Sequence, residues 1–80
     1  MMHTILRLPS VKKETGNSRS THYLRISQGL FTKPVSLGPR TVGWPASEVV
    51  ALNAARIAGK TDTEIRALVV KLEAARKTAS

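Results

Sequence analysis

Polar and apolar positions keep helical spacing near both ends of this chain and alternate in its middle. Leu8-Pro9-Ser10-Val11 opens with proline at an early helical position and Gly16-Asn17 closes the segment, which predicts a short helix over Leu8–Thr15. Ser18 follows at once, with a side-chain oxygen suited to an N-cap, and the next segment runs from Arg19 to Gln28 before Gly29 stops it. Two short helices joined by a tight glycine-containing turn have the outline of a helix-turn-helix. From Phe31 the period changes: Val35, Leu37, Val42 and Trp44 fall on alternate positions of two short runs separated by Gly38-Pro39-Arg40-Thr41. That predicts a two-stranded hairpin with a basic tip. Pro45 suits the start of a third helix, in which Val49, Leu52, Ala55 and Arg56 recur at spacings of three and four until Gly59. Thr61 and Glu64 have capping-box spacing, and Ile65, Leu68, Val69 and Leu72 form an apolar stripe on a last helix reaching about Lys77.

The order helix, helix, hairpin, helix, helix predicts a mainly α fold. Its expected architecture is a winged helix-turn-helix with a two-stranded β-hairpin wing and an additional C-terminal helix. The winged helix-turn-helix domain is expected over residues 5–58. Residues 59–80 are expected to form an amphipathic helix that packs on the core or mediates dimerisation. Trp44 ends the hairpin where the third helix must dock and is expected in the core.

Charge sharpens this outline. Thirteen lysines and arginines against five acids give +8. In residues 1–44, seven basic side chains meet Glu14 alone, for +6, whereas residues 45–80 carry six against four, for +2. The first half is therefore the candidate polyanion-binding surface. Cysteine is absent, which excludes disulfides and cysteine-based zinc or redox chemistry and fits a reducing cytoplasm. No apolar run exceeds four residues, so the expectation is a soluble, cytoplasmic protein with no membrane partner.

Catalytic motifs are wanting. Gly59-Lys60-Thr61 echoes the end of a P-loop, but Ala54 stands where its first glycine is required and no strand precedes it. Gly38 and Gly43 share the glycine spacing, but Trp44-Pro45 replaces the lysine and hydroxyl residue. No nucleophile elbow, zinc-protease pair or serine triad can be assembled, so no enzyme activity and no cofactor are expected. A metal site is not expected either, because His3 and His22 are the only histidines.

Five short motifs stand in order: Ile5-Leu6-Arg7-Leu8-Pro9, Thr15-Gly16, Ser18-Arg19-Ser20-Thr21 with Tyr23, Lys33-Pro34-Val35 with Leu37-Gly38-Pro39-Arg40, and Val42-Gly43-Trp44. Together they resemble the AlpA family of prophage regulators over roughly residues 5–58. The resemblance implies a compact winged-helix fold akin to phage excisionases and the DNA-binding domains of MerR-type regulators. It also implies control of prophage or genomic-island genes such as an integrase, or direct help with excision. Two positions depart from the family pattern: Asn17 in a turn position usually apolar, and His22 where Ile or Leu is usual.

The N-terminal turns of a recognition helix face base edges, where Arg can grip guanine and Ser or Thr can accept either base type. Ser18, Arg19, Ser20 and Thr21 meet that need. At about 100° per residue, placing Ile26 toward the core puts His22 and Tyr23 on its side, Thr21 and Leu24 opposite, and Arg25 on the flank as a phosphate or base contact. Arg19 lies angularly near Ile26 and either reaches out from the first turn or packs partly buried. Tyr23 either donates to a phosphate or fills the core, and His22 is expected in the core or at its rim. Arg40 at the hairpin tip is placed to reach phosphates or the minor groove, and Lys33 precedes Pro34 at the start of the wing.

The expected partner is double-stranded DNA, bound by a homodimer or cooperative oligomer, with an integrase as a further candidate. Two alternatives to a sequence-specific regulator stand beside it. One is an excisionase-type factor that bends DNA. The other is a protein interaction module carried by the stripe of the last helix.

Overall fold

The computed structural model describes residues 4–77. Its elements are β1 (Ile5–Leu6), α1 (Leu8–Thr15), α2 (Arg19–Ser27), β2 (Val35–Gly38), β3 (Thr41–Pro45), α3 (Ala46–Ile57) and α4 (Asp62–Ala75). The fold is mainly α, with four helices and a small antiparallel sheet.

Local chemistry accounts for the helix boundaries. Proline sits in the first turn of α1, and Gly16 ends it at φ 73°, where its N–H donates to the Lys12 carbonyl at 2.8 Å. A side chain at that φ would be strained, which is why glycine stops the helix there. Three residues later α2 begins, with the Ser18 side chain accepting from the Thr21 N–H. Thr61 and Glu64 form a complete capping box at the start of α4.

The sheet departs from the expected two-stranded hairpin. It has three strands in the order β1-β3-β2, because Ile5 pairs with Pro45 and Leu6 with Trp44 on the free edge of β3. The Ala46 N–H extends this edge by donating to the Thr4 carbonyl at 2.7 Å. On the other side Val35 faces Gly43, and the register shifts between Ser36 and Gly38. Gly43 lies where the three strands crowd together. A β-carbon there would stand 2.5 Å from Ile5 Cγ2 and 3.0 Å from the Leu6 carbonyl oxygen.

One core joins sheet and helices. Val11, Leu30, Phe31, Trp44, Val49, Leu52, Ile65 and Val69 form its buried cluster. Trp44 is fully buried, and its indole N–H donates to the Thr32 carbonyl at 2.9 Å, which satisfies the one polar atom of the ring. The stripe on α4 faces inward: Ile65 and Val69 are buried, and Leu68 and Leu72 pack against the cluster. Polar contacts fix α4 along the same seam. Arg66 Nε donates to the Gln28 carbonyl, and Glu73 accepts from the Lys33 N–H. Arg76 grips buried Glu48 with two hydrogen bonds of 2.7 and 2.6 Å and also donates to the Lys33 carbonyl. The hydrogen bonds to Glu48 hold the Arg76 guanidinium pKa above its ordinary value. No helix among the described residues is long and apolar enough to cross a membrane.

Candidate nucleic-acid interface

α2 presents Ser20, Tyr23, Leu24 and Ser27 to solvent, with Leu24 55% exposed. The opposite side is anchored by His22, which is fully buried. Its imidazole meets the edges or faces of Phe31 at 4.9 Å and Trp44 at 4.7 Å. Neither ring nitrogen has a hydrogen-bond partner within the described residues, and burial lowers the His22 pKa, so the ring is held neutral. This aromatic anchor sets the rotation of α2.

Ser18 and Thr21 serve the helix start. The Thr21 N–H donates to Ser18 Oγ at 3.2 Å, and the Ser18 hydroxyl donates to Thr21 Oγ1 at 3.0 Å. Arg19, the first residue of α2, lays its guanidinium 5.5 Å from the centre of the Tyr23 ring. Tyr23 is thereby half out of the protein, neither core nor free, with its other contact an edge interaction with His22.

Beside this face lies a cleft of about 280 Å³ lined by Arg7, Leu8, Pro9, Arg19, Tyr23, Arg40 and Val42. Three elements supply its arginines: Arg7 precedes α1, Arg19 opens α2, and Arg40 forms the β2–β3 turn at φ 57°. None of the three guanidiniums makes a hydrogen bond or ion pair within the described residues, and no carboxylate lines the cleft. Four of the five acids are engaged elsewhere, and Glu14 lines a different groove. Glu48 holds Arg76, Asp62 meets Arg56 at 3.5 Å, Glu64 meets Lys60 at 3.9 Å, and Glu73 accepts from Lys33.

The structure thus brings Arg19, Tyr23 and Arg40 together at the cleft; Ser18, Ser20 and Thr21 stay outside its lining, at the start of α2, and Arg25 and Lys33 stand elsewhere. Arg25 lines a second groove, of about 330 Å³, with Glu14, Asn53, Arg56 and Ile57 around a floor of Leu30, Phe31 and Leu52. Lys33 has its backbone tied to Glu73 and Arg76 of the α4 seam. Sequence reasoning counted Arg7 as charge and as part of the opening motif and gave it no place at the interface. Its place in the cleft follows from β1 pairing with β3, which the two apolar residues Ile5-Leu6 are too few to signal. No group of three or more potential metal ligands is clustered among the described residues, and His3 lies outside them.

The family described as "Prophage CP4-57 regulatory protein (AlpA)" matches residues 4–56. An uncharacterized protein, ORF88 of Enterobacteria phage P4, is 51% identical over 55 residues, a stretch covering 69% of this chain and 62% of the phage protein. The match therefore spans less than two thirds of that relative's length. No solved structure matches the chain significantly. With two thirds of its length matched by the family and half the aligned residues identical in a phage relative, the chain belongs to the AlpA family of prophage regulatory proteins.

Proposed function

We propose that this protein is a sequence-specific DNA-binding regulator of prophage or genomic-island genes, such as an integrase gene, and that it works as a winged helix-turn-helix. α1 and α2 are the helix pair, α2 enters the major groove, and the β2–β3 hairpin is the wing. The observation that carries this reading is the segregation of charge in three dimensions. Four of the five carboxylates are engaged on α3 and α4, while the solvent face of α2 borders a cleft whose three arginines have no acidic partner. A surface of that kind suits a polyanion laid along α2.

Ser20 offers a hydroxyl to a base edge, and Leu24 is an exposed apolar side chain suited to a thymine methyl group. Arg40 reaches the flanking backbone. The stripe of α4 is turned into the core, which removes the feature that favoured a protein interaction module.

The test is a fluorescence anisotropy or gel-shift series with the protein's own upstream region, the promoter of an adjacent integrase gene and scrambled duplexes of equal length. Tighter binding to one natural region is expected. Equal affinity for all of them refutes sequence-specific regulation.

A further inference from the structure

We propose that the cleft between Arg7, Arg19 and Arg40 is a seat for one phosphodiester group of the DNA backbone, and that Arg7, through β1, fixes the register of α2 on the duplex. The inference rests on the DNA-binding reading above and adds to it a defined anion site and a residue outside both helix and wing.

Three features argue for a built site over a merely basic surface. Arginines from three separate parts of the chain line one concavity that no acidic residue lines, so nothing in the cleft itself offsets their positive charge until an anion enters. The walls include Leu8, Pro9 and Val42, apolar groups that exclude water from one side of the site and strengthen a charge-assisted hydrogen bond made there. The supports are rigid. Leu6 pairs with Trp44, which is wholly buried, and the Arg7 carbonyl accepts from the Val11 N–H at 3.0 Å as α1 begins. Arg19 is braced on the Tyr23 ring, and the backbone of Arg40 is set in the left-handed region by the turn.

Phosphate fits this set better than a carboxylate ligand would. A tetrahedral phosphodiester presents oxygens in several directions out of any one plane, whereas a planar carboxylate keeps all its acceptor sites in one plane, which suits a single bidentate arginine better than three arginines from separate parts of the chain. The two-residue strand β1 gains a role from this arrangement. Its pairing with β3 holds Arg7 against the hairpin that carries Arg40, so one backbone phosphate is gripped from both the start of α1 and the wing. Such a contact positions the protein without reading sequence.

The experiment uses the full chain and two readouts. In the first, Arg7→Gln is compared with the parent on cognate and scrambled duplexes across salt concentrations, with Lys71→Gln, an exposed α4 residue, as control. Losing one phosphate contact is expected to weaken both duplexes about tenfold or more and to reduce the magnitude of the log-affinity versus log-salt slope by about 0.9. The cognate-to-scrambled ratio should be retained, and Arg7→Lys should restore the slope. In the second, the arginine Nε–H signals are followed by NMR during titration with inorganic phosphate. Arg7, Arg19 and Arg40 should move together and saturate, while Arg66, whose Nε–H is held by the Gln28 carbonyl, stays in place.

Normal DNA binding with an unchanged slope in Arg7→Gln and no saturable shift overturns the seat. Saturable shifts in a protein that binds no duplex uphold an oxyanion seat and overturn DNA as its source. A fall in the cognate-to-scrambled ratio on Arg7→Gln overturns the backbone role in favour of base contact.

Discussion

Replacing His22 with leucine is expected to stabilise the fold, and by a larger margin as the pH falls. The imidazole is fully buried with no partner on either nitrogen, so folding strips water from one donor and one acceptor without return. Each unmet buried polar group costs about 1–3 kcal/mol. Against this, the ring makes edge contacts with Phe31 and Trp44, worth about 0.5–1.5 kcal/mol each. Leucine has a similar volume, keeps the apolar burial and needs no partner, so a net gain of about 1 kcal/mol is expected at pH 8. The pH dependence is the sharper part. Burial lowers the His22 pKa in the folded chain, so as pH drops below the unfolded value near 6.5 the unfolded chain binds a proton that the folded chain does not. Stability therefore rises with pH through this window and is lost on acidification, by at most about 2 kcal/mol at pH 5. His22→Leu removes that loss. Glu64, whose pKa is lowered by hydrogen bonds from Thr61, titrates below this range and is common to both proteins, so subtraction isolates His22. Urea unfolding followed by circular dichroism from pH 8 to 5 measures the gap. A gap that stays constant refutes the neutral buried histidine, and a less stable variant at pH 8 shows that the aromatic contacts outweigh the desolvation.

Arg76→Ala should destabilise the protein by about 3 kcal/mol, because it leaves the Glu48 carboxylate buried without its cation; a thermal melt lowered by only a degree or two would show that water replaces the guanidinium. Gly43→Ala should cost about 1–3 kcal/mol from overpacking against Ile5. It should also loosen β1, seen as faster hydrogen exchange at the Ala46 amide, and unchanged exchange would contradict the crowding. Removing residues 60–80 takes Ile65 and Val69 out of the core at about 1.5–3 kcal/mol each, enough to exhaust the stability of so small a domain. An unfolded product is expected by circular dichroism, and a cooperative melt at the parent temperature would instead assign α4 to association between copies.

The helices were legible in the sequence because their ends are local events. Gly16, Gly29 and Gly59 stop them, Ser18 and Thr61 start them, and none of these signals depends on a distant residue. β1 was not legible for the opposite reason. Two residues cannot show alternation, and Ile5 becomes a strand only by meeting Pro45 forty positions later. Arg7 was missed with it, since a residue that acts through a long-range pairing has no periodic signature of its own. The inward side of α2 was legible: Ile26 packs against the core and His22, about 40° away on the same side, is its fully buried residue. Spacing did not place Arg25, which lines the groove beside Asn53 and Arg56, or Tyr23, which stands out beside Arg19. Lys33 does stand at the start of the wing, two residues before β2, but that its backbone is also held by Glu73 and Arg76, from the other end of the chain, could not be read from the sequence. The same cause runs through these differences: the arginine cleft is assembled by tertiary contacts, so its charges were visible in the sequence and their convergence was not.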